Sequence, residues 1–344
     1  MHLSTLIKVI ILRWNVTNMA DAIRKILQDF VTTRPDYIGD RSVSLDLIAT
    51  YKAFCSFSFV AWTCYPLLFE HMTLSFSSWY PFDTTESVPG FIIAYSLQVC
   101  TEFYIVLCLV FVDTFLPFCE VKLCSELNVL KKMLSFVGPQ TCDVDLTTAS
   151  FKGNLGIRMH GRTIKTEAFN EKLMMKRAVR EWSEDKNERL IRFVMTKHYL
   201  VCRVLNDISV CHSKLFLTQV LCSICHTCFL AFAVLGAEDQ GKVLSSVVPL
   251  LATSYLQLFM YCWFGEKLTQ HCADLHRAAY ENCWYVCSKS VKSSLTIMME
   301  YFKRPIILTG GSVFEASLHT FVLGLRESIS YIIILRTLTQ GKEA

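Results

Sequence analysis

Residues 314–338 read FEASLHTFVLGLRESISYIIILRTL. Roughly 25 helical residues at about 1.5 Å each cover the ~30 Å hydrocarbon core of a bilayer, so the stretch is long enough to cross one. Yet it carries His319, Arg326, Glu327, Ser328 and Ser330. An arginine near the centre of a lipid-facing helix costs about 2.5–3.5 kcal/mol on insertion scales. The segment is therefore expected to face protein or water, as a conduction path or a bundle core does, and not to act as a plain anchor.

The rest of the chain agrees with a membrane setting. Of its 344 residues 52% are hydrophobic, above the usual soluble range. Eight prolines and thirteen glycines without a tandem period argue against disorder or a solenoid. A net charge of +4 is too small to imply a nucleic-acid partner. Four further segments meet the length criterion: 51–69, 91–119, 215–236 and 243–264. The expected fold is all-α, a multi-pass transmembrane helical bundle with about five full spans. The opening MHLSTLIKVIILRW has one lysine and a short apolar run, without a small-residue cleavage site after it.

Charge sets the direction of the spans. No Lys or Arg lies between 69 and 91, and only Lys242 lies between 236 and 243. By contrast 15–50 holds Arg24, Lys25, Arg34 and Arg41, and 120–214 holds Lys131, Lys132, Lys152, Arg158, Arg162, Lys172 and more. Residues 265–311 hold Lys267, Arg277, Lys289, Lys292, Lys303 and Arg304. The alternation follows the positive-inside rule and makes 15–50, 120–214 and 265–311 cytoplasmic. It puts 70–90 and 237–242 outside, with the C-terminal tail 339–344 extracellular. The sequon Asn15-Val16-Thr17 then falls on the cytoplasmic side and is expected to be unused.

The cytoplasmic segments carry helical stripes. Leu123, Leu127, Leu130 and Leu134 form one. Leu190, Phe193 or Val194, Val201, Val204 or Leu205, and Ile208 form a second. Leu268, Cys272, Leu275 and Ala279 form a third, and Leu295, Met298, Met299 and Phe302 a fourth. Such stripes need partners and are expected to pack together below the membrane. Residues 139–170 lack a stripe and read as a flexible insertion.

No catalytic constellation emerges. Cys211 and His212 are adjacent, and neighbours on a helix point apart, so the pair is no dyad. Sixteen cysteines sit mostly in apolar or cytoplasmic stretches and read as thiols used for packing. Cys222, Cys225 and Cys228 beside His226 superficially resemble a metal site, but they lie in an apolar run with no second ligand pair nearby. No metal and no cofactor is expected. Glu102 and Asp113 are carboxylates inside the second span, and Asp113 is expected to cap or pair structurally.

Four stretches together resemble one family. They are Trp79-Tyr80-Pro81-Phe82-Asp83 with Pro89-Gly90 and 95–98; Tyr261-Cys262-Trp263-Phe264-Gly265 with Ala278-Ala279-Tyr280 and Trp284-Tyr285; 304–311 with Phe314, Ser317-Leu318 and Thr320-Phe321; and Ser330-Tyr331 with Leu335-Arg336. In this order they resemble the insect odorant receptors, a seven-helix family of inverted topology. The resemblance makes 1–14 the remnant of the second membrane helix and 15–50 a cytoplasmic loop. It makes 51–119 the third and fourth membrane helices, 120–214 and 265–312 cytoplasmic anchor helices, 215–264 the fifth and sixth membrane helices, and 313–338 the final, pore-lining helix. The chain reads as an N-terminally truncated member.

The function this implies is an odorant-gated, nonselective cation channel in the plasma membrane of an olfactory sensory neuron. The implied partners are a small volatile odorant, membrane lipid and the shared co-receptor in a heterotetramer. Gustatory or metabotropic chemoreceptors are the alternatives. Odorant pockets need aromatic faces and a few hydrogen-bonding groups. On that basis the resemblance points to Trp62, Tyr65 and Phe69 on the third helix and Phe91, Tyr95 and Gln98 on the fourth. It points to Ile334, Thr337 and Leu338 as the pore gate, a narrow apolar neck that closes by dewetting.

Overall fold

The computed structural model describes residues 2–29, 38–69, 74, 79–82, 88–137, 170–235, 240–282, 284–304 and 306–340. The proposed insertion at 139–170 lies outside the described residues apart from Asn170, as do the tail residues 341–344 and most of the loop 70–90. The elements in order are α1 (His2–Trp14), α2 (Val16–Asp29), α3 (Ile38–Phe69), α4 (Val88–Ser135), α5 (Asn170–Leu235), α6 (Gln240–Tyr280), a 3-10 turn (Trp284–Val286), α7 (Lys289–Phe302), β1 (Thr309–Gly310), β2 (Phe314–Glu315) and α8 (Leu318–Gln340).

Helix continuity is the main feature that the pattern of spans and stripes leaves open. α4 has 48 residues and α5 has 66, roughly 70 and 100 Å at about 1.5 Å per residue. Both far exceed the hydrocarbon core. Each apolar span and its neighbouring stripe therefore belong to one unbroken helix. The sequence permits this because α5 contains neither glycine nor proline. In α4 the buried Pro117 removes the amide that would bond to the carbonyl of Asp113, and the helix continues past it to Ser135. Among the described residues, 43–64 on α3, the whole of α4 and 185–234 on α5 are long and apolar enough to cross a membrane. The segment 15–50 contains α2 and the start of α3, and α2 buries Met19, Ala22 and Ile26.

The stripes meet in one core. Leu123, Leu127, Leu130 and Leu134 of α4 pack with Ile191, Val194, Val201, Val204, Leu205 and Ile208 of α5. Leu268, Cys272, Leu275 and Ala279 of α6 and Leu295, Met298 and Phe302 of α7 complete it. This is the packing the periodicity predicts, with Val194 taking the seam position and Leu190 only partly buried against it. Full burial of one such leucine contributes about 1.5–3 kcal/mol. Cys119, Cys211, Cys262 and Cys272 are members of the same core, as small apolar residues.

The final helix starts later than the hydrophobic run suggests. Phe314–Glu315 pair antiparallel with Thr309–Gly310 as a small hairpin, Gly310 opposite Phe314. Gly311 and Ser312 turn it at φ 58 and 61, a left-handed conformation that glycine adopts freely and serine does not. Ser317 then opens α8, its hydroxyl accepting the amide of Thr320 at 3.3 Å. At 23 residues α8 still reaches about 35 Å.

Candidate functional site

Asp113 organises the middle of the bundle. It is fully buried on α4. Lys8 of α1, equally buried, donates from Nζ to its Oδ1 at 2.6 Å. The Tyr51 hydroxyl of α3 donates to Oδ2 at 3.0 Å, and the Tyr261 hydroxyl of α6 donates to Oδ1 at 3.2 Å. Gln257 of α6 donates to the Tyr51 oxygen at 3.1 Å, and the Lys8 ammonium lies 5.7 Å from the Tyr261 ring centroid. Four helices thus meet on one carboxylate. An isolated buried charge would be untenable, and the lysine with the two tyrosine hydroxyls compensates it. The structural pairing expected of Asp113 is what is found.

A second polar seam joins α5 to α6. Gln219 donates to Ser223 and to the Ser254 carbonyl, both at 3.1 Å, and Ser254 donates to Ser223 at 3.2 Å. His226 Nδ1 lies 3.4 Å from Ser254 Oγ, and the Thr227 and Tyr255 hydroxyls are 2.8 Å apart. The histidine of the cysteine-rich run thus contacts a serine across the interface. Among the described residues no group of three or more His, Cys, Asp or Glu side chains is placed to hold a metal.

The six residues singled out for ligand contact divide. Phe91 and Tyr95 stack at 5.8 Å on one face of α4, and the Tyr95 hydroxyl donates to the Thr63 carbonyl of α3. That bond ties α4 to α3 next to Trp62 in the chain, whose side chain is half-buried. Gln98 is buried one turn further along α4. Tyr65 and Phe69 belong to α3, and their side chains lie outside the described residues.

The residues singled out for the pore lie along the last turns of α8. Ile334 and Thr337 are exposed, and the side chain of Leu338 lies outside the described residues. Ile329, Ile333 and Ile334 are all more than half exposed, at 58%, 57% and 55%. Arg326 and Glu327 are exposed too, without a partner among the described residues. The start of the helix is held through the hairpin that precedes it. Gly310 and Gly311 of the hairpin pack on Phe216 and Leu217 of α5, and the Gly311 amide donates to Ser213 Oγ at 2.8 Å.

Comparison with known proteins places this arrangement. The family model described as "7tm Odorant receptor" matches residues 2–328. The chain belongs to the 7tm odorant receptor family. Odorant receptor 94a of Drosophila melanogaster is 24% identical over 125 residues, 36% of this chain and 32% of that protein. The odorant receptor coreceptor of Aedes albopictus is 24% identical over 191 residues, 55% of this chain and 36% of that one. The matches therefore span about a third of these relatives' lengths. The fold is similar to that of the olfactory receptor OR5 from Machilis hrabei in complex with eugenol, with a TM-score of 0.73 and 15% identity, covering 98% of this chain and 78% of that one.

In this odorant-receptor chain the motif 261–265 acquires physical reasons. Tyr261 is a donor to Asp113, and Cys262 packs in the core. Gly265 lies so close to Ala316 that a Cβ there would meet the Ala316 Cβ at 2.5 Å. Lys8, Tyr51 and Gln257 are the site residues that pattern reading passes over. The lone lysine of an apolar run and the lone aspartate of another are the available signal, because buried opposite charges in a membrane bundle seek one another.

Proposed function

We propose that this chain is an odorant receptor subunit that binds small volatile ligands among its membrane helices and forms a ligand-gated nonselective cation channel with the shared co-receptor. Its family membership and its co-receptor relatives support a receptor of this kind. The observation that carries the channel reading is α8. Its exposed Arg326 and Glu327 cannot face lipid at low cost, so that face requires neighbouring subunits or water. A helix that joins such polar groups to an exposed row of isoleucines suits the wall of an assembled pore. The ligand would sit near the stacked Phe91 and Tyr95 of α4, with Trp62 of α3 and Gln98 as further candidate contacts.

Expression of the chain with the co-receptor, followed by current recording against a panel of volatiles, tests the reading. An inward cation current that needs both subunits and an odorant is expected. A tag after Ala344 should be stained in unpermeabilised cells. Staining only after permeabilisation would overturn the inverted orientation, and the channel reading with it.

A further inference from the structure

Glu120 of α4 and His212 of α5 face one another inside the core, 1% and 0% exposed, with Oε1 and Nε2 3.5 Å apart. All four of their polar atoms lack a hydrogen-bond partner among the described residues. This is unusual, because buried polar side chains are nearly always bonded. Tyr261 and Phe216 wall the pair in, their rings 5.9 and 5.8 Å from the imidazole. Both residues stand at the ends of apolar runs, Glu120 just after 91–119 and His212 just before 215–236.

The surrounding titratable and charged groups are Cys119 and Asp113 on α4, Cys211 and Lys214 on α5, Tyr261 on α6, Tyr51 on α3 and Lys8 on α1. The buried Lys8 is bound to Asp113. Among the described residues nothing further therefore compensates a carboxylate at Glu120 or an imidazolium at His212, and an ion pair without further hydrogen bonds would not repay the cost of removing both charges from water. The neutral acid beside the neutral imidazole is the form this geometry can hold.

We propose that Glu120 and His212 form a proton-binding pair at the junction of the spans with the lower core, with Glu120 a neutral carboxylic acid at neutral pH, and that loss of its proton loosens the α4–α5 contact. The step is a simple ionisation: the carboxyl O–H breaks, its electron pair stays on oxygen and the proton goes to solvent. The sign follows from counting protons. Above the ordinary carboxyl range the folded chain keeps a proton at Glu120 that the unfolded chain has lost, so folding weakens as pH rises. Below the ordinary histidine range, about 6.5, the unfolded chain gains a proton at His212 that the folded chain refuses, which opposes the first effect. The two cancel there. Above that range only the Glu120 effect remains, and the folding equilibrium falls about tenfold per pH unit until Glu120 ionises in place.

The test uses the purified full chain in detergent and does not depend on the channel reading. Infrared spectra at neutral pH should show the carbonyl stretch of a protonated carboxylic acid that Glu120→Gln removes. The thermal midpoint of the wild type should fall from neutral to mildly alkaline pH, and E120Q, which mimics the neutral acid, should fold and lack that slope. An infrared spectrum unchanged by E120Q, a slope retained in E120Q, or an E120Q chain that cannot fold would each overturn the proposal.

Discussion

At the scale of single residues, Lys8 and Asp113 show how a membrane bundle accommodates full charges. They stand 105 residues apart in sequence and meet with 1% and 0% of their side chains exposed. Removing one partner strands the other in a medium that cannot solvate it. Asp113→Asn leaves the Lys8 ammonium unneutralised and should destabilise the chain by about 3–5 kcal/mol, read as a lower thermal midpoint and reduced surface expression. Lys8→Met in the same background removes the stranded charge, while the asparagine oxygen still accepts from one tyrosine hydroxyl and its amide can donate to the other. The double variant should recover most of the loss; if it behaves no better than D113N alone, the pair is not an electrostatic unit. The carboxylate was visible in the sequence as an acid out of place. Its partners were not, because each comes from a different helix and no spacing rule connects them.

At the scale of elements, the junction between α6, the hairpin and α8 fixes where the last helix begins. The stripes on α4, α5, α6 and α7 were legible because helical periodicity depends only on neighbours three and four residues away. The span-to-stripe continuity of α4 and α5 was not, since a charged connector and a helix extended into water have the same composition. Nor was the hairpin, whose strands are two residues long and whose pairing rests on the turn at Gly311 and Ser312. The junction is closely packed: a Cβ on Gly265 would lie 2.5 Å from the Ala316 Cβ and 2.6 Å from the Ala316 carbonyl oxygen. Gly265→Ala should therefore displace the start of α8 and cost about 1–3 kcal/mol. Ala316→Gly removes the methyl contact but leaves the carbonyl, so the double variant should regain only part of the stability. A G265A chain with an unchanged thermal midpoint would mean that the two elements do not touch as described.

At the scale of the whole molecule, α8 carries both apolar and charged exposed side chains. Apolar side chains exposed on a single helix could be covered by lipid, but exposed Arg326 and Glu327 on the same helix could not. Under the proposed channel reading, that face would meet further subunits around a common axis, while the hairpin that precedes the helix packs on α5. On that axis Ile334 would meet its equivalents as a ring whose closure depends on the exclusion of water. Ile334→Ala widens and softens such a ring without touching the lower core, since the side chain is 55% exposed in the single chain. Cells expressing I334A with the co-receptor should therefore carry a larger basal current at unchanged surface expression, and odorants should add proportionally less to it. The comparison belongs with Val322→Ala, which is also exposed on α8 but three turns earlier, and should leave basal current alone. Equal basal currents in wild type and I334A would place the constriction elsewhere on the helix.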